Sequence, residues 1–301
     1  MVALSTHPRV NRFSVQLFLS SVLTLAALPA YAQQGSHPSP PTPPPAPAES
    51  KPAPEFPSAK NPWDENELLY GSKGKAASPV IGQDEHCFLP PLNNLDRSSV
   101  GVTDLQATSK AQREQKAGCS ALKSNKAVEA ETHLRKAVKE WPNYSASWVV
   151  LGQVLETQQK FSQAYDACSK PLTNDPKYIP AYLCLADVSA HSEKWNEVLQ
   201  LSDRALELDP SNNPVAYDYN AAAYLHLNRL PEAEKSAVKA VEIDKNNTDP
   251  RVHFLLAQIY SAMGDREKAA AQLREYLKFA TDPNDVAMVK GYLAQLEAQA
   301  R

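Results

Sequence analysis

Three prolines in the second half of the chain recur at one fixed interval. Pro142, Pro176 and Pro210 are 34 residues apart, twice in succession. A set of small or compact residues recurs with them at intervals of 34, 34, 35 and 36 residues: Ala130, Ala164, Val198, Ala233 and Ala269. Coincident periods in several residue classes at about 34 residues are typical of helix-turn-helix arrays. We therefore expect an all-α solenoid of about five stacked helix pairs over residues 103–281.

The repeats resemble the tetratricopeptide repeat (TPR) family, whose pattern is Trp-x2-Leu-Gly-x2-Tyr, then Ala-x3-Phe, then Pro. The second copy is the cleanest, with Trp148, Leu151, Gly152, Ala164 and Pro176. Partial copies in register extend the resemblance over roughly residues 111–281. It implies a right-handed superhelix whose concave face binds proteins or peptides. The Lys/Asn/Arg set with which some relatives hold chaperone tails is absent, so that function is not transferred.

Small residues recur where the first helix of each pair must approach the second closely: Gly118, Gly152, Ala186, Ala221 and Ala257. Pro171 departs from the pattern, because it falls inside the second helix of the second copy, where it should kink or shorten that helix. Residues 282–301 carry Val286, Val289, Leu293 and Leu296 on one face, which predicts a C-terminal capping helix.

The first 32 residues have the pattern of a signal peptide. A basic start is followed by an uncharged apolar run, and Ala30-Tyr31-Ala32 is typical of a cleavage site, which predicts cleavage between Ala32 and Gln33. Residues 33–62 are Pro-rich and predict a disordered linker in extended polyproline II, serving as a spacer or as a ligand for a proline-recognising module. Residues 63–102 lack a helical or strand period and are expected to form an irregular N-terminal strap.

A periplasmic or secreted location follows from the predicted signal peptide. No later stretch is apolar enough to span a bilayer, so we expect no membrane insertion after cleavage. The formal net charge of −3, with no basic stripe, gives no electrostatic footprint for nucleic acid. Export of an array that resembles the TPR family favours a bacterial cell envelope.

The four cysteines are disulfide candidates if the chain is exported. In the TPR arrangement Cys168 and Cys184 lie on neighbouring helices, which favours a bridge between them. Cys87 would then pair with Cys119 and pin the strap onto the first helix, with the concave side as one path for it. The alternative is four thiols with no bridge.

No catalytic signature is present: the sequence lacks Gly-x-Ser-x-Gly, His-Glu-x2-His and Cys-x2-Cys. We therefore expect no enzyme activity and no cofactor. His191 and His226 occupy equivalent places in successive copies, with Asp187 and Asp218 nearby. An enzyme or metal-binding accessory that uses this cluster is one alternative, but two polar groove residues are the favoured interpretation.

The TPR resemblance places polar and apolar side chains together on the concave face. A peptide could lay its backbone against the polar groups and insert side chains near Leu183, Leu225 and Phe254. We therefore predict a protein- or peptide-binding scaffold. The alternative is a structural homo-oligomeric module without a peptide groove. The predicted peptide-binding residues are Gln153, Glu156, Leu183, Asp187, His191, Asp218, Leu225, His226, Arg251, Phe254 and Gln258.

Overall fold

The structure, a computed structural model, describes residues 87–92, 95, 101, 103–244, 250–280 and 283–299. The predicted signal peptide and Pro-rich linker, and most of the predicted strap, lie outside these residues. The described part is all-helical, as the repeat predicts, and contains eleven α-helices and two short 3-10 segments. The helices are α1 (Ser109–Lys123), α2 (Ala127–Glu140), α3 (Ser145–Thr157), α4 (Phe161–Ser169), α5 (Ile179–His191), α6 (Trp195–Leu208), α7 (Pro214–His226), α8 (Leu230–Ile243), α9 (Arg251–Ala262), α10 (Arg266–Tyr276) and α11 (Pro283–Gln299).

Odd-numbered helices up to α9 are the first helices of five repeats, and even-numbered helices up to α10 are the second. Each helix packs against the next, and first helices also contact each other, α3 with α5, α5 with α7 and α7 with α9. We call the surface formed by the first helices the concave face. The solenoid predicted from the repeat is therefore confirmed.

The recurring small residues lie in the core, where close helix approach requires them. The five small residues of the second helices are fully buried: Ala130, Ala164, Val198, Ala233 and Ala269. Aromatic side chains at the start of the first helices hold the recurring prolines. Trp148 Nε1 donates to the carbonyl of Pro142 at 2.8 Å, and the Tyr182 hydroxyl donates to the carbonyl of Pro176 at 2.9 Å.

A residue in the left-handed conformation ends the first helix of every repeat. These residues are Asn125 (φ 55°), Gln159 (φ 60°), Glu193 (φ 56°), Asn228 (φ 57°) and Gly264 (φ 80°). The amide that follows each of them donates to a carbonyl five residues back, for example Lys160 to Leu155 at 2.9 Å and Lys194 to Ser189 at 3.0 Å. This is the Schellman end of a helix, which glycine adopts most easily.

We expect Glu193→Gly to stabilise the fold by about 1 kcal/mol, because glycine enters the left-handed region without a Cβ penalty. The gain should appear as a higher urea midpoint in chemical unfolding. Gly264→Ala is the converse control and should lower the urea midpoint. A Cβ added there would meet no atom within 4 Å, so the φ of 80° alone opposes the change. A loss of stability for Glu193→Gly would contradict this interpretation of the turns.

Pro171 has the effect predicted for it. The second helix of the second repeat, α4, ends at Ser169 after nine residues, and residues 170–173 continue as a 3-10 segment. The other second helices have 11 to 14 residues. The missing turn reflects the absent donor and the ring of proline, which break the helical hydrogen-bond ladder.

The last helix, α11, packs against α10. Its apolar face is directed inward, since Val289 and Leu296 are buried and Val286 and Leu293 half-buried. Asn284 and Gln295 are exposed, as expected for a helix that covers the end of a stack. Within the described residues, every helix is too short or too polar to cross a bilayer.

Candidate functional site

One position of the first helices recurs from repeat to repeat and carries most of the site. It directly follows the small residue at the helix contact, and we call it the inner position. Its occupants in the five repeats are Cys119, Gln153, Asp187, Ala222 and Gln258. Gln153 and Asp187 are buried. Gln258 is half-buried, and its amide oxygen is shielded from solvent and has no hydrogen-bond donor within the described part of the chain.

The described part of the strap is held by the inner positions of the first two repeats. Cys87 is bonded to Cys119, with an S–S distance of 1.99 Å. Two residues further on, Leu89 N–H donates to Gln153 Oε1 at 3.0 Å, and Gln153 Nε2 donates to the Leu89 carbonyl at 2.9 Å. The side-chain amide of Gln153 therefore satisfies both backbone groups of one residue, whatever its side chain is.

The strap also inserts apolar side chains between its contacts. Phe88, Leu89 and Leu92 are 1%, 2% and 0% exposed. The Pro90–Pro91 peptide bond is cis, and Leu92 N–H donates to the Leu89 carbonyl at 2.9 Å. Cys87 to Leu92 thus lies on the concave face as a short segment without regular structure that begins at Cys87, with φ 54°, and ends in a turn.

After the strap, the chain is fixed to the start of α3. The carboxylate of Asp104 accepts the Ala146 amide at 3.3 Å, and Trp141 Nε1 donates to the Thr103 carbonyl at 3.2 Å. Burial raises the pKa of Asp104 to about 6 although backbone amides of Ser145 and Ala146 favour its ionised form. The chain is therefore attached to the first two repeats at Cys87 and Leu89 and again at Thr103 and Asp104.

A buried polar cluster formed by Glu156, Asp187 and His191 adjoins the strap-binding region. Glu156 lies one turn beyond Gln153 on α3, and the other two residues lie one turn apart on α5. His191 Nδ1 is 2.9 Å from Glu156 Oε1, 3.2 Å from the Asp187 carbonyl oxygen and 3.9 Å from Asp187 Oδ1. One ligand atom from each residue falls within 4.8 Å of the others, so among the described residues this group could hold a divalent cation.

The cluster retains protons in the folded state. Burial, together with the neighbouring Asp187 charge, raises the pKa of Glu156 to about 8, and burial also raises the pKa of Asp187. Burial opposes the charge on His191, but the Glu156 contact and the charge of Asp187 outweigh it and raise its pKa to about 10. The shared protons reduce the repulsion between two carboxyl groups in a low-dielectric site.

Tyr219, which the sequence analysis missed, completes the cluster from α7. Its side chain is fully buried, and its hydroxyl faces Asp187 and favours the ionised carboxylate. The positive charge of Arg251 on α9 acts on Asp187 in the same direction. Four first helices thus contribute to one polar network. The sequence signal for Tyr219 is its position: it directly follows Asp218, which the sequence analysis places among the peptide-binding residues.

His226 is not part of this cluster, although it occupies the place equivalent to His191. It is exposed and stacks on Trp195, with ring centroids 3.7 Å apart and planes at 1°. Partial desolvation of the imidazole lowers its pKa. His191 and His226, which the sequence analysis considered together as one alternative, therefore lie in different surroundings: His191 belongs to the Glu156–Asp187 cluster, and His226 stacks on an aromatic ring.

The remaining predicted site residues are less accessible than expected. Leu183 is fully buried and Asp218 is buried, while Leu225 and Arg251 are half-buried. Phe254 packs against Tyr276 of α10 and Tyr292 of α11, with ring centroids 5.8 and 6.5 Å away. Phe254 is therefore a core contact of the last repeat in the described structure, although the sequence analysis places it among the peptide-binding residues.

The second disulfide joins Cys168 of α4 to Cys184 of α5, with an S–S distance of 2.01 Å. It lies against Gly152 of α3. An added Cβ at Gly152 would overlap Cys168 Sγ and come within 3.1 Å of Cys184 Sγ. Three helices therefore meet around one bond, directly beneath Gln153.

Comparison with known proteins supports the repeat assignment. Tetratricopeptide repeat family models match residues 116–179 and 250–283, so the chain carries repeats of this type. Two curated Arabidopsis thaliana proteins are similar to it. They are the inactive TPR repeat-containing thioredoxin TTL3, 42% identical over 76 residues, and TPR repeat-containing thioredoxin TTL4, 31% identical over 122 residues. The matches cover 25% and 40% of this chain but only 10% and 17% of those proteins.

Solved structures agree on the fold. TTC0263, a thermophilic TPR protein of Thermus thermophilus, matches with a TM-score of 0.53 and 18% identity over 62% of this chain and 99% of its own. The type IV pilus biogenesis factor PilW matches with a TM-score of 0.58 and 14% identity over 64% of this chain and 89% of its own. Pseudomonas aeruginosa pilF matches with a TM-score of 0.54 and 16% identity over 64% and 86%.

Proposed function

We propose that this protein is an interaction scaffold whose concave face holds an extended segment of a partner protein by its backbone. The observation that carries the proposal is the Gln153 amide, which binds the N–H and the carbonyl of Leu89 together. A contact of this kind recognises a main chain rather than one side chain, which is how grooves accept extended peptides.

The recurrence of the inner position extends this argument beyond the strap. Cys119 and Gln153 hold residues 87 and 89 from successive repeats, so the position can follow an extended chain along the stack. Gln258 places the same amide in the fifth repeat, and its buried oxygen accepts no hydrogen bond from the residues that the structure describes. We propose that the Gln258 amide oxygen accepts a hydrogen bond from a backbone N–H of the partner, because a buried acceptor is stabilised when a donor reaches it.

We also propose that the scaffold works in the bacterial cell envelope. The predicted signal peptide supports export, and two disulfides among the described residues suit an oxidising compartment. The type IV pilus biogenesis factor PilW has a similar fold, which agrees with such a setting. N-terminal sequencing of the mature protein should begin at Gln33, and a cytoplasmic chain that retains Met1 would contradict export.

Site-specific photo-crosslinking in the producing cell tests the proposed face. A photoreactive phenylalanine analogue is placed at Gln258, and at Gln200 on the exposed surface of α6 as the matched control. We expect a discrete adduct with one partner from Gln258 and none with that partner from Gln200. Adducts from Gln200 alone would place the interaction on the second helices and contradict the proposal.

A further inference from the structure

The strap has the features of a bound ligand rather than of a repeat. It belongs to no helix pair, and its described residues attach through one covalent bond, one side-chain amide and three apolar side chains. Each helix of the solenoid packs directly against the next one, with no part of the strap between them among these contacts. Phe88, Leu89 and Leu92 nevertheless join the hydrophobic core of the helices, so their removal would expose the part of the first helices that they cover.

The strap is held by Cys119 and Gln153, which both occupy the inner position. In the proposed function, the inner position binds the partner. A partner segment laid along the first two repeats would need Gln153, which Leu89 already occupies. The strap is also tethered, so its effective concentration is of the order of millimolar, far above that of a free partner. While the strap is bound, this end of the groove is closed.

We infer that Cys87–Leu92 occupies in cis the site that a partner's extended apolar segment takes in trans, and that reduction of Cys87–Cys119 vacates it. This inference rests on the proposed function and names the ligand class. The ligand carries two adjacent apolar residues, a Pro-Pro turn and a third apolar residue, as in Phe88-Leu89-Pro90-Pro91-Leu92. Its backbone is bound by Gln153.

Reduction requires a dithiol of the thioredoxin class or a small-molecule equivalent. One thiolate of the dithiol attacks Cys119 Sγ, the Sγ–Sγ bond breaks, and Cys87 leaves as a thiolate that takes up a proton. The second thiol of the reductant then displaces Cys119 from the mixed disulfide. Two electrons and two protons pass to the protein, and the reductant leaves as its disulfide.

The two disulfides differ in how they can be reached. Cys168 and Cys184 are fully buried between α4 and α5, so exposing them requires the separation of packed helices. Cys119 is 8% exposed, and its partner lies on a segment outside the helices. Local opening of such a segment costs less free energy than opening the core. The strap bond should therefore be reduced first.

A labelling experiment on the full chain tests the order of reduction. The folded, oxidised protein is treated with dithiothreitol at low concentration, quenched with an alkylating reagent over time and analysed by peptide mass spectrometry. We expect Cys87 and Cys119 to be alkylated at least about tenfold faster than Cys168 and Cys184. Equal rates, or faster labelling of the buried pair, would overturn the inference.

A binding experiment tests the occupancy. The probe is a fluorescein-labelled peptide of residues 85–95 with Cys87→Ser, and the readout is fluorescence anisotropy. The vacated receptor is the full chain with Cys87→Ser, Cys119→Ser, Phe88→Asp, Leu89→Asp and Leu92→Asp, whose helicity is checked by circular dichroism. We expect it to bind the probe at least about tenfold more tightly than the oxidised wild type does. Gln153→Ala in the vacated receptor should weaken binding by about tenfold, whereas Gln200→Ala should not.

The outcomes separate this inference from the proposed function. If a helical vacated receptor binds no more probe than the oxidised wild type, the strap does not mimic a ligand and the inference fails, even if Gln258 still captures a partner. If the probe binds as expected while Gln258 captures nothing, the inference stands and the proposed role in the cell fails. If the vacated receptor does not fold, the same probe is titrated into wild type in which Cys87–Cys119 has been reduced, and binding no tighter than to the oxidised wild type overturns the inference.

Discussion

Gly152→Ala should destabilise the protein by about 3 kcal/mol, at the upper end of the usual cost of overpacking a core. The added methyl group would overlap Cys168 Sγ, and it would come within 3.2 Å of the Ala164 carbonyl oxygen. Sulfur in a disulfide cannot rotate away as a free side chain can, and the carbonyl belongs to helix α4. The loss should appear as a lower midpoint of chemical unfolding monitored by helicity.

Two controls tie this loss to the disulfide. Gly291→Ala on α11 meets no atom within 4 Å and should be neutral or stabilising by up to about 1 kcal/mol, because alanine is the better helix former. In a Cys168→Ala/Cys184→Ala background the sulfur is gone, so the added cost of Gly152→Ala should fall well below its value in wild type. An equal cost in both backgrounds would show that the disulfide does not set the requirement for glycine.

His191→Leu should destabilise the protein by about 3 kcal/mol, because it leaves Glu156 and Asp187 facing each other without their cationic partner. His226→Leu is the matched control at the equivalent place of the next repeat. Since His226 is exposed and makes only a stacking contact with Trp195, its replacement should cost less than about 1 kcal/mol. Similar losses for both variants would contradict a buried charge cluster.

The same cluster makes stability depend on pH. The folded-state pKa values of Glu156, about 8, and of His191, about 10, exceed the ordinary values of 4.5 and 6.5. The folded state therefore binds more protons, and this stabilisation is complete at low pH and is lost as pH rises through these values. We expect the free energy of unfolding to fall between pH 6.5 and pH 10 in the wild type and to fall less steeply in Glu156→Gln.

The fold could be predicted from the sequence because residues of several classes recur with the same period of about 34 residues. Two of the recurring small residues, Ala130 and Ala164, are fully buried where helices meet. The aromatic residue Trp148 binds the carbonyl of one of the recurring prolines, Pro142. The turns were less visible. Of the five left-handed positions that end the first helices, Asn125, Asn228 and Gly264 carry residues that favour this conformation, while Gln159 and Glu193 adopt it because the hairpin closure requires it.

The site was only partly predictable, because its contacts join segments that share no periodicity. Gln153, Glu156 and Asp187 were selected as groove residues, but only the packing of α3 against α5 brings Glu156 to His191. The contact between Gln153 and Leu89 spans 64 residues and involves a segment without regular structure. Backbone recognition leaves no mark on the sequence of the segment that is bound.

Amide hydrogen exchange at Leu89, followed by NMR on the oxidised full chain, tests most directly whether the concave face binds an extended backbone. The account predicts that this amide is protected in the wild type and exchanges at least about tenfold faster in Gln153→Ala, with no change in Gln200→Ala. Exchange of Leu89 in the wild type at the rate of an unprotected peptide would contradict it, since the Gln153 side chain would then hold no backbone.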